Sequence, residues 1–296
     1  MSRFIYYRGS LSSCNYGCPY CPFAKTSNTR AALAVDAAGV DRFVTWMSRQ
    51  TTERHQILFT PWGEALIRGY YRKALVQLSR LEQVDTVAAQ TNLSFPIADL
   101  AEADRRRLAL WATYHPGETD RATFLAQCRA LDELQMDYSV GVVGLKEHFD
   151  EIKAVRAALP EFRYLWINAY KREPDYYSEA DIAFLTEIDP WFPLNLETYD
   201  SGDQACRAGA SSFAVDEKGD VRRCFFIPGV IGNIEDPAFE AGLKPRPCTN
   251  ASCGCYIGYI HLARLQLDSV YRRRLAARIP VAYQTEPVGA EETGPT

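Results

Sequence analysis

The sequence lacks any long apolar run. No window approaches the roughly 18 consecutive apolar residues that cross a bilayer, and residues 1–10 contain no apolar core of a secretory signal. Positive charge is not in excess either, since 33 Lys and Arg stand against 37 Asp and Glu, a formal net charge of −4. That balance gives no electrostatic footprint for nucleic acid. We therefore expect a soluble, cytoplasmic chain with neither a membrane nor a nucleic-acid partner.

Cysteine, in contrast, is plentiful, with nine residues among 296. In a reducing compartment such a number indicates metal or redox chemistry rather than disulfides. Eight of the nine fall into two groups, one near the N-terminus and one after residue 200. The ninth, Cys128, lies on the apolar face of a predicted helix with Phe124 and Leu131. We predict that it is a buried thiol with no ligand role.

The first group reads Cys14-Asn-Tyr-Gly-Cys18-Pro-Tyr-Cys21. Three thiolates this close together can wrap one [4Fe-4S] cube as a tight loop, which leaves one iron without a cysteine from the motif. An exogenous ligand on that iron would make the site a reaction centre, as at catalytic metal sites that keep one position open. The spacing alone also allows a zinc knuckle or a ferredoxin-like loop.

The C-x3-C-x-aromatic-C spacing, with Tyr20 as the aromatic residue, resembles that of the radical SAM enzymes. The resemblance implies that S-adenosylmethionine (SAM) chelates the open iron through its amino and carboxylate groups. It implies further that the reduced cluster cleaves SAM to methionine and a 5'-deoxyadenosyl radical, which abstracts hydrogen from a substrate. A flavodoxin- or ferredoxin-type reductant is the partner that such an oxidoreductase needs.

Short β-rich apolar runs alternate with helical patterns up to about residue 190. This alternation, at about 25 to 35 residues per unit, predicts βαβ crossovers and a parallel sheet. We expect an α/β fold, a partial (β/α)6 TIM-like barrel over residues 1–195, which the resemblance also implies; a doubly wound open sheet is the alternative. Either places the site at the carboxyl ends of the strands. The predicted strands are Phe4–Tyr7, Gln56–Thr60, Thr86–Gln90, Ala109–Tyr114, Tyr138–Val143 and Tyr164–Asn168.

The segment after the second predicted strand, Thr-Pro-Trp-Gly-Glu, resembles the Gly-Gly-Glu-Pro segment of the family. The resemblance implies that Gly63 and Glu64 approach the SAM ammonium group. This chain departs from the family pattern at Trp62, which stands in place of the first glycine, and at Ala65, which stands in place of the proline. Without the resemblance, the segment reads as a strand-to-helix turn in which Glu64 stabilises the next helix.

The later strands end in similar family-like segments. They imply contacts of Asn92 and Thr113 with SAM or the substrate, of Val142 with one face of the adenine, and of Asn168 with adenine or substrate. For Val142 the alternative is a buried parallel strand, which is also rich in valine and glycine. His115, one of four histidines, is the candidate for proton transfer, with a structural role as its alternative.

The second cysteine group begins at Cys206, ahead of a predicted hairpin over residues 211–224 that turns at residues 216–219. Cys224 ends the hairpin, and Cys248, Cys253 and Cys255 follow. The C-x17-C spacing, the glycine before the second cysteine and the Gly-Asn-Ile after it resemble Twitch and SPASM extensions of radical SAM enzymes.

That resemblance implies one auxiliary [4Fe-4S] cluster, held by Cys206, Cys224 and two of the last three cysteines. The sequence does not choose among those three. A structural zinc ribbon with four cysteine ligands is the alternative, because it needs the same thiolates. We expect this unit to span residues 196–283, before a Pro-, Gly- and Glu-rich tail, 284–296, with too little apolar content to pack.

The leading hypothesis is a radical SAM enzyme that abstracts hydrogen and then oxidises or rearranges its substrate. The auxiliary cluster would accept an electron or bind the substrate. Because the cysteine loop begins at Cys14, we expect no N-terminal leader-binding domain, which favours a small molecule or a peptide presented by a separate partner. The hypothesis from another class is a non-catalytic iron-sulfur or zinc protein that transfers electrons or scaffolds partners.

Overall fold

The structure, a computed structural model, describes residues 2–23 and 25–284 of the chain. Almost all of the predicted tail, from residue 285 onward, lies outside the described residues. Within the described residues, no helix is both long and apolar enough to cross a membrane.

A nine-stranded sheet forms the centre of the fold. Six of its strands are parallel and lie side by side in chain order, an order without the reversal that defines a doubly wound sheet. The expected α/β class with a mostly parallel sheet is confirmed. The six strands are β1 (Arg3–Tyr7), β2 (His55–Phe59), β3 (Val84–Thr91), β4 (Leu108–Thr113), β5 (Asp137–Val143) and β6 (Leu165–Asn168).

Helices follow most of these strands and cover one face of the sheet. The crossover from β3 to β4 holds only a 3-10 turn, Ile97–Leu100, and both of its end residues are buried. A capping box starts α5 at Ser178, with Asp181 as its reciprocal partner. The helices are α1 (Arg30–Ser48), α2 (Gly69–Ser79), α3 (Arg121–Glu133), α4 (Phe149–Ala158), α5 (Glu179–Ile188) and α6 (Phe192–Leu196).

The remaining strands are short. They are β7 (Tyr199–Asp200), β8 (Ala205–Cys206), β9 (Ser212–Val215), β10 (Asp220–Arg222), β11 (Val230–Asn233), β12 (Arg246–Pro247) and β13 (Ser252–Cys253). The predicted hairpin is present as β9 and β10, and β9 pairs in parallel with β1, so the hairpin extends the central sheet. Gly219 closes its turn at φ +83°, a conformation that favours glycine. The pairs β8–β12 and β7–β13 form two small antiparallel ladders beside the sheet.

Side chains alternate between two hydrophobic layers along each parallel strand. In β1, Ile5 and Tyr7 face the helices, whereas Phe4 and Tyr6 face the concave inner side of the sheet. Cys128 is buried in the helix layer, where the sequence placed it.

The C-terminal segment covers the inner side of the sheet. It consists of α7 (Tyr256–Tyr259), α8 (Asp268–Tyr271) and the 3-10 turns Ala263–Leu265, Arg272–Ala277 and Val281–Tyr283. The Tyr6 hydroxyl donates to the Ile257 carbonyl at 2.7 Å, and Arg274 pairs with Asp137 at 2.6 Å with both side chains almost fully buried. The floor of the barrel is therefore closed, and its open end is the carboxyl edge of the strands. Two further 3-10 turns, Lys146–His148 and Pro237–Gly242, lie in connecting segments.

Candidate functional site

The loop that carries Cys14, Cys18 and Cys21 follows β1 at the open end of the barrel. Its first residues are held by two side chains of the following segment. The buried Asp36 accepts from the Leu11 amide at 2.9 Å, and Asn28 Oδ1 accepts from the amides of residues 12 and 13 at 2.9 and 2.8 Å. These bonds fix the backbone directly ahead of the first cysteine.

The loop after β2 packs against the same stretch. Gly63 donates to the Leu11 carbonyl at 3.3 Å, and Glu64 donates to the Ser13 carbonyl at 3.1 Å. A Cβ at position 63 would lie 1.9 Å from the Ser13 carbonyl oxygen. The glycine is thus required by a backbone contact with the cysteine loop, a reason that the sequence did not reveal.

Glu64 is buried and joins three segments of the open end. Its carboxylate accepts from the Leu66 amide at 2.9 Å, the Thr91 hydroxyl at 2.9 Å and the Asn92 amide at 2.7 Å. Burial raises the pKa of Glu64 to about 7, while these three hydrogen bonds act in the opposite direction. The carboxyl therefore titrates near neutral pH.

Asn92, at the end of β3, contacts the cysteine loop directly. Its Nδ2 donates to Asn15 Oδ1 at 3.1 Å, and Asn15 in turn donates to Ser94 at 2.9 Å. Asn15 lies next to Cys14 in the chain, so the end of β3 positions the first cysteine.

His115, at the end of β4, contacts the other half of the loop. Its Nδ1 lies 2.9 Å from the Tyr20 hydroxyl and 3.4 Å from Cys18 Sγ, and its ring stacks on Tyr20 at 12° between planes. Burial lowers the pKa of His115 to about 4, so the imidazole is neutral near pH 7. Burial also raises the pKa of Cys18 to about 11, so a metal that binds this thiol must displace a proton.

The remaining predicted cofactor residues lie on opposite faces of the sheet. Val142 is fully buried in the helix layer, so it faces away from the inner side of the barrel. The side chains alternate along β5, which puts its neighbour Val143 on the inner face instead. Thr113 and Asn168, at the ends of β4 and β6, share the inward register of Trp111 and Trp166.

The last inward-facing residue of each parallel strand can be read from the same alternation. We call this set the strand-end ring; it consists of Arg8, Thr60, Gln90, Thr113, Val143 and Asn168. Arg8 and Thr60 continue β1 and β2 by one residue, since their amides donate to Val215 and Tyr7 at 3.0 Å. Arg8 of this ring lies between the two cysteine groups, because its guanidinium contacts Trp62 in the loop after β2 and Phe225 next to Cys224.

Four cysteines of the second group line one cavity. Cys206 and Cys224 lie there with Cys248 and Cys253, in an empty volume of about 400 Å³ that includes open solvent. Burial raises the pKa of Cys253 to about 12, and the charges of Cys255, Cys224, Cys206 and Cys248 act in the same direction. Within the described residues, no three His, Cys, Asp or Glu side chains form a group that could hold a single metal ion.

Cys255 does not line this cavity. Part of Cys255 reaches solvent, although many protein atoms lie around its thiol. Three cations, Arg8, Lys171 and Arg278, lower the pKa of this thiol through their charges. Burial is the larger effect and raises the pKa of this thiol overall. Cys255 therefore lies near Arg8 of the strand-end ring, and its charge also reaches Cys253 and raises the pKa of that thiol.

Comparisons with known proteins address the fold. No protein-family model matches the sequence, and no curated protein matches it. Native anSMEcpe with bound AdoMet superposes with a TM-score of 0.53 at 13% identity, over 79% of this chain and 78% of the other. The same protein with AdoMet and the Cp18Cys peptide gives 0.50 at 14% identity, over 79% and 78%. This chain shares its fold with anSMEcpe.

A weaker likeness is to BtrN in complex with AdoMet and 2-DOIA, with a TM-score of 0.39 at 15% identity over 82% of this chain and 87% of the other. The fold shared with anSMEcpe agrees with the partial barrel that the radical SAM resemblance implies. At these identities, it does not extend to substrate or reaction.

Proposed function

We propose that the chain is a radical SAM enzyme whose cysteine loop, at the open end of the barrel, holds a [4Fe-4S] cluster. The observation that carries the proposal is that the ends of β2, β3 and β4 all contact this loop, through Glu64, Asn92 and His115. A structural metal knuckle needs no such convergence. A reaction centre at the carboxyl ends of barrel strands does, because several strands must place side chains around it.

Cys14, Cys18 and Cys21 would hold the cluster, and SAM would lie against Gly63, Glu64 and the end of β3. When bound, the cluster supplies an electron that cleaves SAM to methionine and a 5'-deoxyadenosyl radical, which abstracts hydrogen from the substrate. Glu64 would balance the SAM ammonium charge, a role that its raised pKa makes dependent on pH. Tyr20 and His115 would hold Cys18 in place and shield it from water.

Residues 196–283 would form a Twitch- or SPASM-like unit with an auxiliary [4Fe-4S] cluster. The cavity that they enclose favours Cys206, Cys224, Cys248 and Cys253 as its ligands. Four thiols around one cavity fit a cube, whose four irons each take one cysteine. Such a cluster would accept an electron from a substrate radical, and a flavodoxin- or ferredoxin-type protein would reduce the first cluster.

The test is anaerobic reconstitution followed by incubation with SAM and dithionite. We expect 5'-deoxyadenosine and methionine to form in equal amounts, with loss of both products in Cys18→Ala. Cys128→Ala is the matched control, because this buried thiol lies in the helix layer away from both groups. A wild-type protein that binds iron but forms no 5'-deoxyadenosine would favour the non-catalytic hypothesis, and stoichiometric zinc without iron would favour the zinc ribbon.

A further inference from the structure

Arg8 is a buried cation with no carboxylate partner among the described residues. Its side chain is 9% exposed, and it takes part in no ion pair in that part of the chain. Nε donates to the Thr60 carbonyl at 2.7 Å, and Nη2 lies 3.4 Å from the Thr60 hydroxyl. Burying a charge without a partner of opposite charge is unfavourable. The buried guanidinium at the open end therefore points to a role other than packing.

The Arg8 guanidinium lies between two aromatic rings, one from each cysteine region. Its Cζ lies 4.0 Å from the ring centroid of Trp62, in the loop that packs on the first cysteine group, and 3.8 Å from that of Phe225, next to Cys224. Cation-π contacts hold the planar group without using its N–H donors. Nη1 has no hydrogen-bond partner within the described residues and remains free to donate.

The acidic groups whose charges act on Arg8 are the Cys255 thiol and the Tyr6 hydroxyl, and burial raises the pKa of both; neither is a carboxyl group. The strand-end ring, of which Arg8 is a member, contains no Asp or Glu. The Thr60 hydroxyl donates a hydrogen bond to Gln90 Oε1 at 2.5 Å. Lys171 is a second cation near the same space; it donates to the carbonyls of Glu197 and Gly254 at 2.7 and 2.9 Å and forms no ion pair in the described part of the chain. Burial lowers the pKa of Arg8 to about 10, which leaves the guanidinium charged at neutral pH.

We propose that the space between the two cysteine groups binds its substrate through an anionic group, a carboxylate or a phosphate, held by the Arg8 guanidinium. Arg8 is the anchor, because its fork-shaped donor edge matches two oxygens of such a group. Lys171 adds positive potential on the side of Cys255. The inference deepens the proposed function, on which it rests for the identity of the ligand as substrate.

The experiment titrates the reconstituted full chain with inorganic phosphate in one arm and with succinate in the other. Tryptophan emission reports binding because Trp62 lies directly on Arg8, and Trp62→Phe identifies the share of the signal that comes from this ring. Sodium chloride at matched ionic strength corrects for screening. We expect a saturable response in one arm, which tells a phosphate site from a carboxylate site.

Arg8→Met should weaken that binding at least tenfold, since it keeps an apolar side chain between the two rings but removes the donors. Arg54→Met is the matched control, because Arg54 pairs with Asp85 near the opposite edge of the sheet; it should leave affinity unchanged. If Arg8→Met does not fold, Arg8→Lys decides, with an expected loss of threefold or more because an ammonium lacks the fork.

The proposal is overturned by the absence of a saturable response to either anion, or by an Arg8 variant that binds as the wild type does. It is equally overturned if SAM displaces the anion, because the guanidinium would then serve the cofactor. Formation of 5'-deoxyadenosine by the wild type without added anion is measured separately. If no 5'-deoxyadenosine forms, this result counts against the proposed function alone, since anion binding does not depend on the cleavage of SAM.

Discussion

Gly63 lies so close to Ser13 that a Cβ on the glycine would come within 1.9 Å of the Ser13 carbonyl oxygen. This contact joins the loop after β2 to the cysteine loop after β1. The two loops are in direct contact, so a substitution in the loop after β2 should displace the cysteines of the loop after β1.

Gly63→Ala should therefore displace the cysteine loop. We expect a loss of about 1–3 kcal/mol in the free energy of unfolding, typical of overpacking, and a larger proportional loss of 5'-deoxyadenosine formation. Gly69→Ala is the matched control, because the nearest atom to a Cβ there is 3.7 Å away. Denaturant unfolding and product assay of both variants would measure the effect, and equal behaviour of the two would contradict it.

Asp36→Ala tests how the start of the cysteine loop is held. The substitution leaves the Leu11 amide and the Tyr70 hydroxyl without their acceptor, at an expected cost of about 1–3 kcal/mol for a buried unsatisfied group. Iron content after reconstitution should fall as well. Asp41→Ala, on the exposed side of the same helix, should change neither quantity. Thermal unfolding and iron analysis together give the answer.

Cys253→Ala and Cys255→Ala should differ although they are two residues apart. Cys253 lines the cavity with three other cysteines, and Cys255 does not. We expect the first substitution to lower the iron content from about eight atoms per chain toward about four, the content of one remaining cube. The second should keep the wild-type iron. Iron and sulfide analysis of both variants measures the difference. Loss of iron in Cys255→Ala, with wild-type iron in Cys253→Ala, would show that Cys255 is a ligand.

Arg274→Met should destabilise the closed floor of the barrel. Arg274 and Asp137 pair at 2.6 Å with exposures of 1% and 2%, and removal of one partner of such a pair costs about 3–5 kcal/mol. The neighbouring Arg272 is exposed, so Arg272→Met serves as the control. Chemical denaturation would measure both variants. A loss below about 1 kcal/mol in Arg274→Met would show that the pair does not secure the C-terminal segment.

His55 should make the fold sensitive to acid. Burial lowers its pKa from 6.5 to about 4, and neither ring nitrogen has a hydrogen-bond partner among the described residues. The unfolded chain therefore binds this proton first, so stability is full above about pH 6.5 and falls toward pH 4, by at most about 1.4 kcal/mol per pH unit.

His55→Leu should flatten the pH dependence of thermal stability in that window. The comparison is of melting temperatures at pH 7, 6, 5 and 4.5 for the wild type and the variant. Parallel curves would show that the ring is not protonated on unfolding. Because His55 lies at the start of β2, away from the open end, the substitution should not change the cysteine loop.

Much of the architecture could be predicted from the sequence. The short apolar runs that became the parallel strands, and the helical spacing between them, are local patterns, and local patterns survive without tertiary information. The capping box at Ser178 and the turn at Gly219 are local in the same sense. Side chains alternate along a strand, so Arg8 shares a side of the sheet with Phe4 and Tyr6, but only the structure shows that this is the inner side.

The placement of Val142 shows where such reasoning stops. A segment similar to a family pattern indicated a ligand contact, but the facing of a β-strand residue depends on register, and a shift of one residue reverses it. The sequence left the choice among the last three cysteines open for a related reason. Cys253 and Cys255 are two residues apart, so strand alternation predicts the same side for both. Only the turn into α7 leaves Cys253 in the cavity and Cys255 outside it.

The sequence by itself determined the two cysteine groups, the parallel sheet and the edge of that sheet where the loops meet, because each follows from spacing or periodicity along the chain. Only the tertiary structure decided that the last segment closes the floor of the barrel and that Arg8 lies between Trp62 and Phe225. Those contacts join residues up to 251 positions apart, as the bond from Tyr6 to Ile257 does, and no local pattern encodes a partner at such a distance.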